Sequence, residues 1–245
     1  MRPEMLFLAG VLAFAFISMA VYRATAAAGK DASDRTGRGG SFVLGFWVRN
    51  WFYWLIRPVT RASVGMGIKP DVYNMLVVAC GLAGGYAYAT GHFPIAGWLV
   101  FMSGLADVFD GEVARATNTA DARGAFLDST LDRFSEFFAF IGLAYFFGSG
   151  YPAVAVVVAL GGSLMVSYTR ARGESVGVLC KVGVMQRAER MLLLGFASIL
   201  DPWLCASRSW ANGSVVAFAV FIIAIGTLWT SIHRTIWIAR ALKGK

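Results

Sequence analysis

Seven apolar stretches separated by polar runs set the rhythm of this 245-residue chain: 5–22, 72–90, 93–106, 125–147, 153–168, 191–205 and 213–232. Several fall short of the roughly 20 residues a helix needs to cross the hydrocarbon of a bilayer. Those must extend into flanking polar sequence, and spans that end in acids are expected to open into a water-filled cavity. The pattern predicts an all-α, multi-pass transmembrane helical bundle. One segment differs: 41–62 is dense in Phe, Trp and Tyr with Arg49, Arg57 and Arg61 interspersed. It predicts an amphipathic helix in the interface plane, aromatics at headgroup depth and arginines on lipid phosphates. A buried helix would need partners for all three arginines.

Between the first stretch and this segment, 29–40 is polar and Gly-rich and reads as a linker. The first stretch, followed by Ala-Thr-Ala-Ala-Ala, resembles a signal peptide with a cleavage site. The basic residues that follow, Arg23, Lys30, Arg35 and Arg38 among them, would have to be translocated. They favour a retained anchor with its N-terminus outside. Pro70 suits the first turn of the next helix. The expected organisation is a transmembrane anchor (1–28), a linker with the interfacial helix (29–64) and one membrane domain (65–245).

Composition agrees: 58 % of residues are hydrophobic and 15 % charged. Charge adds a direction. With seven spans, all of the 22 Lys and Arg except Arg2 and Arg208 fall in loops on one side, which makes that side cytoplasmic. The net charge of +8 therefore reads as topology and as binding of anionic membrane lipids and phosphate, not of nucleic acid, for which no motif is present. Cys80, Cys180 and Cys205 show no ligand spacing and no disulfide framework. His92 and His233 stand alone and read as loop or interfacial residues.

Acids in the apolar pattern change the picture most. On a helix, Asp107, Asp110, Gly111, Ala114 and Arg115 share one face, and so do Gly124, Asp128 and Asp132. Two adjacent antiparallel helices joined near Asn118 would aim four carboxylates at one spot. Taken singly, each acid would be solvated at a helix end beside Arg115, Arg123 or Arg133. Four on two facing stripes, with small residues beside them, point instead to a metal site, since ionisable groups in apolar spans are costly and mark function. Carboxylate oxygens suit Mg²⁺ or Mn²⁺.

These residues form the pattern D-x-x-D-G-x-x-A-R-x8-G-x3-D-x3-D, which resembles the signature of the CDP-alcohol phosphotransferase family with every fixed position present. Gly67-Ile68-Lys69-Pro70-Asp71 is similar to the element that opens the family's first core helix. The stretches from Leu127 to Arg133 and from Ser167 to Glu174, with Arg187 and Glu189-Arg190, resemble prokaryotic phosphatidylinositol-phosphate synthases. The likeness runs from about residue 55 to 235. It implies a six-helix core to which the N-terminal transmembrane helix and the interfacial helix are additions, in a homodimer in the cell (inner) membrane. It implies two metal ions on Asp107, Asp110 and Asp128, with Asp132 accepting the proton of the acceptor hydroxyl and able to touch a metal.

The same resemblance places the donor, CDP-diacylglycerol, against Pro70, Asp71, Val72, Tyr73, Gly111, Ala114, Arg115 and Gly124. Asp121 stands where family members often carry Thr or Ser. For the acceptor, a polar alcohol, Arg170, Arg172, Arg187 and Arg190 gather on the cytoplasmic side of two later helices. Guanidinium groups fork onto phosphate oxygens, which suits inositol phosphate; positive-inside anchoring explains any one of them equally well. The loop at Lys181-Val-Gly lacks the Gly-Lys and Lys-Thr pattern usual in phosphatidylglycerophosphate synthases, though glycerol phosphate or another polyol remains the alternative. A cation-coupled transporter would show two pseudo-repeated halves with broken helices, and this chain has one acidic hairpin. A catalytically dead scaffold would be expected to have lost some of the motif acids, and none is missing.

Overall fold

The structure, a computed structural model, describes residues 3–27, 46–180 and 182–243. The linker expected at 29–40, the start of the aromatic segment, Arg2, Arg35 and Lys181 lie outside them. The described residues are helical and without strands, and they fall into two compact units, Met1–Met66 and Gly67–Lys245. In the first, α1 (Pro3–Ala27) and α2 (Phe46–Gly65) pack through aromatic side chains. Trp51 donates its indole N–H to Ser18 Oγ at 3.2 Å, and Tyr22 meets the rings of Trp47 and Trp54.

The second unit holds six long helices: α3 (Pro70–Ala89), α4 (Phe93–Ala116), α5 (Ala122–Phe147), α6 (Gly150–Ser175), α7 (Arg187–Arg208) and α8 (Ser214–Lys243). Five of these and α1 are long and apolar enough to cross a membrane. The exception, α5, is 26 residues long but carries Arg123, Asp128, Asp132, Arg133 and Glu136, all before its apolar second part. Side chains from all six helices build one core, with Tyr88, Phe93, Phe140, Leu143, Val156 and Ile223 fully buried.

Sequence explains where the helices start. Pro70 opens α3 with Asp71 in its first turn, where a carboxylate favours the positive end of the helix dipole. Asp121 caps α5 by accepting the Gly124 N–H at 2.6 Å. The start of α8 is capped from a distance. Asp201, fully buried on α7, accepts the N–H groups of Gly213, Val215 and Val216 at 2.8, 2.9 and 3.2 Å. Asp201→Ala should therefore destabilise the fold by roughly 3 kcal/mol, above the ~1 kcal/mol usual for a helix cap. Thermal unfolding in detergent would read this, and an unchanged midpoint would show the cap to be dispensable.

The two acidic helices do not pack along their length as neighbours. They diverge from their turn, and α3 lies against both. Glycine permits that close approach: a Cβ on Gly81 would sit 2.6 Å from the Ser135 backbone of α5. Ser135 in turn bonds Ser103 of α4 at 2.9 Å, which ties α3, α4 and α5 together beneath the acids. On the other side α7 packs on α4, and α6 pairs with α8.

Candidate active site

The turn between α4 and α5 is short because Asn118 adopts left-handed backbone, φ 55°. It sets the last turns of α4 beside the first turns of α5. Asp107, Asp110 and Asp128 each present a carboxylate oxygen there, and these oxygens all lie within 4.8 Å of one another. Asp110 is 4 % exposed and its Oδ2 has no hydrogen-bond partner. Carboxylates this close repel one another strongly where the dielectric is low. A convergent set of hard oxygens with an unsatisfied buried member fits a divalent cation. The metal ligands expected from sequence are thus brought together by the fold.

Asp132, one turn further along α5, is 7 % exposed. Its charge meets Arg187, the first residue of α7. Arg187 Nη1 lies 2.8 Å from Asp107 Oδ2 and Nη2 lies 2.6 Å from Asp132 Oδ1. The contact to Asp132 is too oblique for a hydrogen bond, and Arg187 Nε is buried without a partner. Arg187 therefore stands among the acids themselves, linking a residue of α4 to one of α5.

Arg190 behaves differently from expectation. It is 2 % exposed, and its fork closes on Glu136 of α5, Nε to Oε1 at 2.6 Å and Nη2 to Oε2 at 2.9 Å. Its Nη1 donates to the Met185 carbonyl at 3.2 Å. A guanidinium with three bonds made inside the protein has little left for a substrate phosphate, so its placement is that of a packing ion pair. Arg170 and Arg172 remain exposed at the end of α6, beside Glu174 and Ser175.

The donor-side residues take varied positions. Asp71 pairs with Arg123 at 3.4 Å on an exposed surface, Val72 is exposed, and the Tyr73 ring lies 5.5 Å from Phe109. Gly111 has Arg115 over it, since an added Cβ would come within 3.0 Å of the guanidinium, and Arg115 is bonded to Glu112 at 2.8 Å. Ala114 is half-buried on the same turn. Asp121, together with Gly124, builds the α5 cap described above, so a local structural role accounts for it.

Three contributors escaped the sequence reading. Glu136 continues the Asp128, Asp132 row at the same four-residue step, and that spacing was the available signal. Arg234 of α8, 2 % exposed, donates to the carbonyls of Val182 and Val166 at 2.7 Å each. Thr230 accepts the Met185 N–H at 3.1 Å. Together with Arg190 they hold the loop that delivers Arg187. Nothing local in sequence foretells such cross-helix bonds.

Known proteins resemble this chain in sequence and in fold. A family model described as CDP-alcohol phosphatidyltransferase matches residues 68–237. The archaetidylinositol phosphate synthase of Methanothermobacter thermautotrophicus is 36 % identical over 199 residues, which cover 76 % of this chain and 94 % of that one. The phosphatidylinositol phosphate synthase of Streptomyces avermitilis is 29 % identical over 225 residues, covering 88 % and 89 %. Among solved structures, the fold is like that of Mycobacterium tuberculosis phosphatidylinositol phosphate synthase in complex with manganese and citrate. That match has a TM-score of 0.66 at 24 % identity and covers 74 % of this chain and 87 % of that one.

Proposed function

Since the chain belongs to the CDP-alcohol phosphatidyltransferase family and is an enzyme of that class, we propose that it joins CDP-diacylglycerol to inositol phosphate, giving phosphatidylinositol phosphate and CMP. An acceptor hydroxyl oxygen attacks the lipid-side phosphorus, the bond from that phosphorus to the CMP oxygen breaks, and the hydroxyl proton leaves to a base. The observation that carries the reading is the convergence of Asp107, Asp110 and Asp128 beside Asp132, with Arg187 among them. The names of the two synthases above favour an inositol phosphate acceptor.

Asp107, Asp110 and Asp128 would hold Mg²⁺ or Mn²⁺, two ions in all, with Asp132 in reach of the set. Bound there, divalent charge would offset the diphosphate and stabilise the departing CMP oxygen. Asp132 is the base in this reading. Buried beside the acids that would hold the metal, its carboxylate would take the proton from the acceptor hydroxyl directly. Pro70, Asp71, Val72 and Tyr73 at the start of α3, with Gly111, Ala114 and Arg115, face the donor. Arg187, with Arg170 and Arg172, receives the acceptor phosphate. The crowding of Lys and Arg at this end of the helices, against Arg208 at the other, supports a site on the cytoplasmic face.

Purified protein supplied with CDP-diacylglycerol and a panel of alcohols tests this. CMP should appear with inositol phosphate as preferred acceptor, only with added Mg²⁺ or Mn²⁺, and cease with chelator. Full turnover in excess EDTA would sink the metal reading. Preference for glycerol phosphate or free inositol would sink the acceptor while leaving the reaction class intact.

A further inference from the structure

Arg187 and Arg190 are three residues apart on α7, both face α5, and they hold their acids in opposite ways. Arg190 makes a parallel fork onto one carboxylate and uses its remaining nitrogen on a carbonyl. Arg187 is split between two carboxylates on different helices, meets Asp132 at a poor angle, and leaves its buried Nε without a bond. The first geometry is that of a fixed pair; the second is held by charge and satisfies its donors poorly. Both arginines border a pocket lined by α3, α4, α5, α7 and Ile223 of α8, so the space beside Arg187 is shared and the bonding geometry is what separates the two.

We infer that Arg187 is an exchangeable counter-cation of the acidic cluster, which yields Asp107 and Asp132 to a divalent cation and moves onto the phosphate of the acceptor. The inference rests on the proposed function and deepens it. A guanidinium and a divalent cation cannot both sit against Asp107 without repelling each other across a poorly screened gap. A phosphate monoester offers Arg187 what its present position lacks, a planar pair of oxygens that Nε and one Nη can reach together. Acceptor binding would thus clear Asp107 for the metal, and metal binding would free Arg187 for the acceptor. Linkage makes the two effects equal in size. The site would hold its full metal complement when the phosphorylated alcohol is present, which limits attack on the CDP-lipid by water.

Mn²⁺ binding to the full chain in detergent, followed by the electron paramagnetic resonance of free Mn²⁺ without CDP-lipid, reads this apart from activity. For the wild type, inositol phosphate should tighten the Mn²⁺ Kd by about 5- to 150-fold, the usual span of such couplings. Arg187→Gln should bind Mn²⁺ more tightly than wild type in the absence of acceptor and gain nothing when inositol phosphate is added. That second arm also removes direct chelation of Mn²⁺ by the acceptor, which would persist in the variant. A wild-type Kd indifferent to inositol phosphate, or an Arg187→Gln Kd equal to or weaker than wild type, would overturn the exchange and make Arg187 a fixed ion pair. Those results leave the metal reading standing, because Mn²⁺ still binds. Absence of Mn²⁺ binding in the wild type would overturn both.

Discussion

Asp110→Asn should lower CMP release by at least about a thousandfold, and in the presence of EDTA it should make the protein more stable, not less. The first effect follows from the several kcal/mol of charge stabilisation that a bound divalent cation contributes to a transferring phosphoryl group; ~4 kcal/mol corresponds to about a thousandfold. Asn keeps the shape of Asp and loses the charge. The second effect follows from the geometry. Asp110 is 4 % exposed, has an oxygen without a hydrogen bond, and lies within 4.8 Å of oxygens on Asp107 and Asp128. Removing its charge relieves repulsion at a place where screening is weak. Mn²⁺ should raise the wild-type melting temperature, since a ligand that binds only the folded state stabilises it by mass action, and should leave Asp110→Asn unmoved. Activity and stability moving in opposite directions is the mark of a group kept for function. A variant that is both less stable and still active would show Asp110 to be a packing residue.

The acids were legible because their spacing is local. The i, i+3 and i, i+4 steps that place Asp107 with Asp110 and Asp128 with Asp132 hold on any helix, whatever packs against it. Helix starts were legible for the same reason, as at Pro70. Asp121 obeys a local rule too. An Asp three residues before a Gly at the head of an apolar run is an N-cap signal, and the cap is what the residue forms. The seven apolar stretches match α1 and α3 to α8, and most of the helices run into the polar sequence beyond them.

What sequence did not reveal depends on register between helices far apart in the chain. Arg187 reaches across to Asp107 and Asp132, 80 and 55 positions earlier in the numbering, and Arg190 reaches Glu136. Both arginines sit in one basic stretch and look equivalent as text. Three residues on a helix turn a side chain by most of a revolution, and the neighbours on α5 decide the rest. One arginine lands between Asp107 and Asp132 and its neighbour one turn away lands on a buried glutamate. The same holds for Asp201, an acid in an apolar helix that resembles the clustered acids by composition, but spends its charge on the first turn of α8.

The Arg190–Glu136 pair gives the second large effect. Arg190→Ala and Glu136→Ala should each destabilise the protein by about 3–5 kcal/mol, because either change strands a buried charge. E136L/R190M, which replaces both by apolar residues of similar size, should recover most of the lost melting temperature, since a buried ion pair is often replaceable once neither partner is left alone. A phosphate-gripping Arg190 makes a different forecast. In that case Glu136→Gln would free the guanidinium and lower the acceptor KM, while Arg190→Ala would raise it roughly ten- to a hundredfold with the fold unharmed. Melting temperatures and the acceptor KM of these four Glu136 and Arg190 variants together separate the two. Rescue of stability in the double variant, with the single variants both unstable, assigns Arg190 to holding α7 on α5. That role still bears on the reaction, because Arg190 also holds the Met185 carbonyl two residues before Arg187. Its loss would loosen the turn from which Arg187 reaches the acids, so the surviving double variant should show a lower kcat than wild type even at saturating acceptor.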